Sequence, residues 1–152
     1  MLSDYSNIQD LNFKVETLNG VDIIGYGPCA GPEIPQYEDD EPDSEEDLEE
    51  MKEEYRENKE KLEKLFEQSG NQKILLSHNA PHNTELDMID NPDSPKDGHH
   101  YGSLIVKELV EAYQPAFNIA GHMHEAEGRE KIGGTTCVNT GLQNTAIVDI
   151  ES

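Results

Sequence analysis

Two histidines, His122 and His124, stand two residues apart in the stretch FNIAGHMHE, directly after a short apolar run and a glycine. A third histidine, His78, follows the apolar run KILLS in the same way. Imidazole nitrogens are suitable ligands for zinc, iron, manganese and nickel. The alternative is that the pair are polar residues in a turn. Because all three follow apolar runs, we predict that His78, His122 and His124 are metal ligands.

The segments around these histidines predict how they would come together. KILLSH and AFNIAG are typical of buried strands, and SLIVKELVEAYQ between them is typical of an amphipathic helix. Such a unit forms a parallel strand pair, and ligands in α/β sheets gather at the carboxyl ends of strands. His78 and His122 should therefore share one edge of the sheet. In an extended segment residues i and i+2 point to the same side, so His124 should join them.

Turn and capping signals predict the other elements. FKVETL and VDIIGY indicate two strands joined at Asn19-Gly20, a strong hairpin signal. Ser44 and Asp47 suggest a capping box before a long helix that should stop near Gly70. Two short strands should flank Gly133-Gly134, and TAIVDIE should form a final strand. The predicted class is α/β.

The pair of motifs LLSHNAP and GHMHE resembles the last two motifs of the calcineurin-like metallophosphoesterases. The helix and strand between them and the later VNTG turn strengthen the likeness, which covers most of the chain apart from the acidic helix. The resemblance implies the C-terminal half of a metallophosphoesterase-type α/β/β/α sandwich with mixed sheets. It implies a single, partial domain over residues 1–152, with an acidic helical insertion at about residues 42–70.

The resemblance also implies a chemistry. The intact family site holds two divalent transition metal ions, which could be Mn, Fe, Zn or Ni. His78 and His122 would bind the second ion and His124 the first. A metal-activated hydroxide would then hydrolyse a phosphomonoester or phosphodiester. The cupins also use an HxH motif, but Glu127 and Glu130 stand at the wrong offsets for them.

The family's Asp-x-His, GDxxD and GNH motifs are missing from the expected places. Asp97-Gly98-His99 is the one Asp-x-His, and it lies in a polar loop with no apolar strand before it. Three neutral imidazoles leave the charge of two ions uncompensated. We therefore expect a half enzyme that needs a chain carrying the N-terminal motifs. A half-domain would also expose a sheet edge, so we expect association with such a partner or with a second copy of the chain. The alternative is a non-catalytic metal-binding fragment or subunit. The sequence singles out no catalytic residue.

A long polar loop, NAPHNTELDMIDNPDSPKDGHHYG, separates the two motifs. A loop of this length in a compact domain is usually functional or mobile. His100 is our candidate for a substrate contact. Ser103 could open a helix N-terminus that binds phosphate, but an N-cap role is the more common one. His82 is expected to be a solvent-exposed loop residue, and Asn139 to shape a turn near the site.

The formal net charge of −22, from 33 acidic and 11 basic residues, argues against bulk nucleic-acid binding and against binding to anionic membranes. The acid excess indicates either an acidic interaction segment between Glu38 and Glu67 or a halophilic protein, and we favour the second. Cys29 and Cys137 form no CxxC motif, which fits a reduced cytoplasm. No apolar stretch of 18 residues is present. We expect a cytoplasmic protein whose partner is a phosphate-ester substrate.

Overall fold

A computed structural model describes residues 8–27, 31–68, 70–142 and 144–150. Cys29 and the last residue of the predicted strand TAIVDIE lie outside these ranges. The described residues form six strands, two helices and a short 3-10 turn, with the helices and strands in the order ββαβαβββ. Their bounds are β1 Val15–Leu18, β2 Val21–Tyr26, α1 Glu45–Glu67, β3 Gln72–Ser77, α2 Leu104–Tyr113, β4 Phe117–Ala120, β5 Gly128–Ile132 and β6 Thr135–Asn139.

The six strands form one mixed sheet in the order β1-β2-β3-β4-β6-β5. The four central strands β2, β3, β4 and β6 are parallel, and the outer strands β1 and β5 run antiparallel to their neighbours. Strands β3 and β4 are adjacent, with Ile74 opposite Phe117 and Leu76 opposite Ile119. The predicted parallel pair is therefore confirmed, and its two carboxyl ends lie side by side.

The long acidic helix α1 begins at a serine cap. The Ser44 hydroxyl accepts a hydrogen bond from the Asp47 amide at 3.1 Å and donates to the Asp47 carboxylate at 2.7 Å. The expected capping box is thus half formed, because the Asp47 carboxylate binds this hydroxyl rather than the Ser44 amide. Leu62 and Phe66 on the apolar stripe are buried, and the Phe66 ring stacks on Tyr113 of α2 at 4.8 Å between ring centroids. The acidic face is left to solvent.

The two faces of the sheet are covered differently. Alternate strand residues that include Ile24, Leu75 and Cys137 are buried in the core with α1 and α2. On the opposite face, Leu76 of central strand β3 keeps 42% of its surface exposed. Residues 144–149 lie along β4 to β6 and enclose a cavity of about 410 Å³ with them. The helices therefore cover one face, and on the other face Leu76 is exposed while Ile74 of the same strand is buried.

One predicted strand is wrong. Residues 144–150 form no strand, although TAIVDIE has the composition of one. The sheet already ends at β5, which folds back antiparallel onto β6, so the segment has no free central strand edge to pair with. Ile147 is 90% exposed as a result. In the described ranges, neither helix is long and apolar enough to cross a membrane.

Candidate metal centre

His78 and His122 meet at the carboxyl edge of β3 and β4. The distance from His78 Nε2 to His122 Nδ1 is 2.8 Å, and the ring centroids lie 4.6 Å apart. A backbone hydrogen bond from the Gly121 amide to the His78 carbonyl, 3.0 Å long, continues the parallel pairing past the ends of both strands. This bond explains why two histidines that are 44 positions apart in sequence come into contact.

The backbone at His122 departs from the expected extended form. His122 has a φ of +66°, and the Met123 amide donates to the Gly121 carbonyl at 2.9 Å, which closes a γ-turn around His122. A positive φ is uncommon outside glycine and is frequent at functional sites. The i, i+2 alternation therefore does not apply here. His124 lies on the following turn, exposed, and the structure does not bring it to the His78–His122 pair.

Asn139, at the end of β6, holds this turn in place. Its buried side-chain amide donates to the carbonyls of Met123 at 2.8 Å, Ala126 at 2.9 Å and Leu86 at 3.0 Å. Gly141 accompanies it with a φ of +60°, where a side chain would collide with the neighbouring turn. The VNTG segment therefore fixes the loop that carries His122 and His124.

The His78–His122 pair fits a metal ion in part. The observed 2.8 Å is a hydrogen-bond distance, whereas two nitrogens bound to one tetrahedral zinc at about 2.1 Å lie roughly 3.4 Å apart, so the rings would have to separate to hold an ion. His78 is exposed, so an ion can reach the pair from solvent. Among the described residues, no three or more His, Cys, Asp or Glu side chains are arranged to hold a metal ion. The pair therefore supplies two neutral ligands, and any anionic ligand must come from elsewhere.

A second cluster surrounds Asp87 in the long loop. The Asp87 side chain is fully buried and accepts backbone hydrogen bonds from Thr84 at 2.8 Å, Gly102 at 2.8 Å and Asn83 at 3.0 Å. It also accepts from the His100 ring, with 2.8 Å between Asp87 Oδ1 and His100 Nδ1. Both carboxylate oxygens of Asp87 already accept hydrogen bonds, so Asp87 is poorly suited to bind a metal ion as well.

The electrostatics of Asp87 favour its ionised form. Burial by itself raises the pKa of this carboxyl group. The contacts from His82 and His100 and the amides of Thr84 and Gly102 outweigh burial and hold the pKa below its usual value. A buried carboxylate therefore persists beside two imidazoles.

The remaining loop histidines have defined neighbours. His82 was expected to be solvent-exposed but is largely buried. Its Nδ1 lies 3.5 Å from Asp87 Oδ2, a distance that suits an ion pair but is too long for a good hydrogen bond. The His99 ring stacks on Tyr37 at 3.9 Å between centroids. Asp97 accepts a hydrogen bond from the Asn91 amide at 2.8 Å. The Asp-x-His at residues 97–99 is therefore part of the loop's own packing.

The N-terminus of α2 is already occupied by an internal anion. Ser103 caps the helix by accepting a hydrogen bond from the Val106 amide at 3.0 Å, as expected. The Glu33 carboxylate accepts from the Leu104 amide at 2.8 Å and from the Ser103 hydroxyl at 2.5 Å. Glu33 thus takes the position in which a phosphate would meet the helix dipole. No sequence signal indicated this contact, because its partners are about 70 residues apart.

Comparison with known proteins gives one family. The family described as "Metallophosphoesterase, calcineurin superfamily" matches residues 4–152 of the chain. Over 78 residues the chain is 34% identical to "Uncharacterized protein MJ1162" of Methanocaldococcus jannaschii, a match that covers 50% of this chain and 34% of that protein.

Two solved structures resemble the fold. One crystal structure has a TM-score of 0.55 at 22% identity and covers 91% of this chain and 48% of that chain. The crystal structure of TT1561 of Thermus thermophilus has a TM-score of 0.44 at 18% identity, with 86% of this chain and 48% of that chain covered. The chain thus spans about half the length of these proteins or less. The first likeness confirms the expected α/β fold with a mixed sheet.

Proposed function

The chain belongs to the calcineurin superfamily of metallophosphoesterases, and on that premise we propose that it forms the C-terminal half of a metal-dependent phosphoesterase. The observation that carries the proposal is the 2.8 Å contact between His78 Nε2 and His122 Nδ1. Both rings lie where parallel strands end, which is the usual place for a ligand in an α/β sheet. The proposed substrate is a phosphomonoester or phosphodiester.

His78 and His122 would together hold one divalent ion, for which Mn, Fe, Zn and Ni are all suitable. His124 would bind only the other ion of the two-metal site, since it lies apart on the exposed turn. Divalent ions at such a site lower the pKa of coordinated water and stabilise negative charge on phosphoryl oxygens. His100 would contact the phosphoryl group of the substrate.

The remaining ligands would come from another polypeptide segment. Two imidazoles carry no charge, so carboxylates are needed to balance the ions. The exposed Leu76 on the sheet face opposite the helices gives such a segment an apolar surface to pack on. We propose a separate chain that carries the Asp-x-His, GDxxD and GNH motifs, because a second copy of this chain could associate with the first but would not bring those motifs. The second candidate function is a non-catalytic metal-binding subunit, which the incomplete ligand set of the described residues favours.

An activity assay tests the proposal. The purified chain is incubated with Mn²⁺ and a chromogenic phosphodiester, alone and mixed with a polypeptide that supplies the missing motifs. We expect hydrolysis only from the mixture, and its loss in His78→Ala and His122→Ala. The matched control is His99→Gln, because His99 packs against Tyr37 away from the pair. Hydrolysis that survives both alanine variants would reject the metal role, and no hydrolysis from any mixture would favour the non-catalytic subunit.

A further inference from the structure

The proposed function assigns no role to Asp87, although this residue is the most densely hydrogen-bonded part of the long loop. Its side chain has no exposed surface, and three backbone amides and one imidazole donate to it. A carboxylate that served only to order the loop would be satisfied by the amides of Asn83 and Thr84. The additional imidazole of His100 therefore needs its own explanation.

Gly102 shows how closely the chain is fitted around this carboxylate. A Cβ atom at Gly102 would lie 2.6 Å from Asp87 Oδ2 and 2.6 Å from the Ala80 carbonyl oxygen. Only glycine lets the backbone come close enough for the 2.8 Å hydrogen bond from its amide. The segment that carries His100 is thus held against the carboxylate from both sides.

The same segment is tied to the residues that follow His78. The Asn79 side-chain amide donates to the Tyr101 carbonyl at 3.0 Å, and the Ser103 amide donates to the Ala80 carbonyl at 2.9 Å. His100 therefore lies in a loop segment that is hydrogen-bonded to the residues directly after His78. These hydrogen bonds fix the position of the His100 segment relative to His78.

The chemistry of the contact fixes the state of the His100 ring. An ionised carboxylate only accepts hydrogen bonds, so the nitrogen that faces it, Nδ1, must carry a hydrogen. His100 uses Nδ1 for its contact with Asp87, and 23% of its side chain is exposed, so Nε2 is the nitrogen left to face a ligand. When the ring is protonated, Nε2–H is a charge-assisted donor for an anion.

We propose that Asp87 is a positioning residue that fixes His100 with Nδ1–H on the carboxylate and leaves Nε2 to bind a phosphoryl oxygen of the substrate. This inference rests on the proposed phosphoesterase function, since it concerns the same substrate. His82, on the other oxygen of Asp87, lines the opposite side of the carboxylate, with its ring centroid 6.2 Å from that of His100. Asp87 acts through His100 and does not itself touch the substrate.

Nitrogen-15 NMR of the histidine side chains tests the positioning directly. The spectrum of the metal-free 152-residue chain is recorded at about pH 8.5, roughly two units above the ordinary imidazole pKa of about 6.5. His100→Gln identifies the His100 signals by their loss. We expect the neutral His100 ring to be the Nδ1–H tautomer. The Nε2–H tautomer would overturn the proposal, and this result needs neither metal nor activity.

Two variants separate positioning from loop stability. Asp87→Asn is expected to move His100 towards the Nε2–H tautomer. Asp97→Ala is the matched control, because it removes a carboxylate of the same loop that accepts from the Asn91 amide at 2.8 Å and weakens the loop at a contact separate from Asp87 and His100. It should lower the melting temperature and keep the Nδ1–H tautomer. If Asp87→Asn does not fold, the tautomer of His100 in the wild-type chain still tests the proposal.

Inorganic phosphate serves as the probe for the second part of the proposal. Titration of the metal-free chain near pH 6 should shift the His100 signals, and His100→Gln should bind phosphate about tenfold more weakly. Equal affinity of the two proteins, or no shift at His100, would overturn the phosphate-binding role. Loss of metal binding in His78→Ala tests the proposed function separately, so the two failures can be told apart.

Discussion

His78 and His122 lie at the ends of two parallel strands with their ring nitrogens 2.8 Å apart, whereas His100 lies with its ring on the buried carboxylate of Asp87. In the first pair the two imidazoles contact each other, and no described carboxylate joins them in a metal-binding group. In the second cluster the carboxylate already fixes the ring. The two arrangements thus separate a pair of histidines that contact each other, which we propose to bind a cation, from a histidine whose ring contacts a buried carboxylate.

The largest effect expected from this comparison concerns metal affinity. His78→Ala and His122→Ala should each weaken the binding of Zn²⁺ by at least about 100-fold, because loss of an outer partner of a ligand already costs roughly 10–100-fold. Isothermal titration calorimetry of the purified chain measures the change. His99→Gln should bind Zn²⁺ like the wild type, since its ring is stacked on Tyr37. An equal loss of Zn²⁺ affinity in all three variants would mean that His78 and His122 are not a specific metal-binding pair.

Removal of the buried carboxylate should cost folding stability instead. Asp87→Ala leaves the amides of Thr84 and Gly102 and the His100 ring without their acceptor. We expect the free energy of unfolding to fall by about 2–3 kcal/mol. Urea unfolding monitored by circular dichroism gives the value. A change below about 0.5 kcal/mol would show that the Asp87 cluster is not a structural centre of the loop.

The lowered pKa of Asp87 adds a pH dependence with a definite sign. The folded pKa lies below the ordinary value of 3.8, so the stabilisation is fully present above about pH 4. It is lost as the pH falls through the lower folded value. The difference in unfolding free energy between wild type and Asp87→Asn should therefore narrow below about pH 4. A difference that widens on acidification would contradict the assigned ionisation.

A smaller effect is expected from crowding the carboxylate. Gly102→Ala places a methyl group 2.6 Å from both Asp87 Oδ2 and the Ala80 carbonyl, so the loop must shift. Overpacking of this kind costs roughly 1–3 kcal/mol, and partial relaxation of the loop should keep the loss near the lower end. Thermal unfolding measures the loss, while Zn²⁺ binding should stay unchanged. A matching loss of Zn²⁺ affinity would show that the two histidine clusters are coupled.

The smallest expected effect belongs to His124. This residue lies exposed on the turn after His122 and outside the contacting pair. His124→Ala should change the Zn²⁺ affinity of the chain alone by less than about threefold, because it removes no ligand of the pair. The same calorimetric titration measures it. A loss as large as that of His122→Ala would mean that one ion binds all three histidines and that the turn rearranges around the metal.

Much of the fold could be predicted because periodicity and turn chemistry act locally. The Asn19-Gly20 hairpin, the Ser44 and Ser103 caps and the parallel pair of β3 and β4 all follow from neighbouring residues. The strand predicted for TAIVDIE, residues 145–151, is absent from its described part, because strand formation depends on pairing with distant segments, which composition does not reveal.

The site was only partly predictable for a related reason. Strand ends indicated where His78 and His122 would lie, but the γ-turn at His122 depends on Asn139, which comes later in the chain and holds the turn. The Asp87 cluster depends on Gly102, and the occupied helix N-terminus on Glu33. These contacts join distant segments of loop, where no periodic pattern marks them.

The most direct test of the central claim is a Zn²⁺ titration of the chain labelled with nitrogen-15 in histidine. The claim is that His78 and His122 bind the metal ion, whereas His82 and His100 lie beside the buried carboxylate of Asp87 and do not bind it. The side-chain signals of His78 and His122 should shift together at the first equivalent, while those of His82 and His100 stay in place. Shifts of His82 and His100 with unchanged His78 and His122 signals would contradict it.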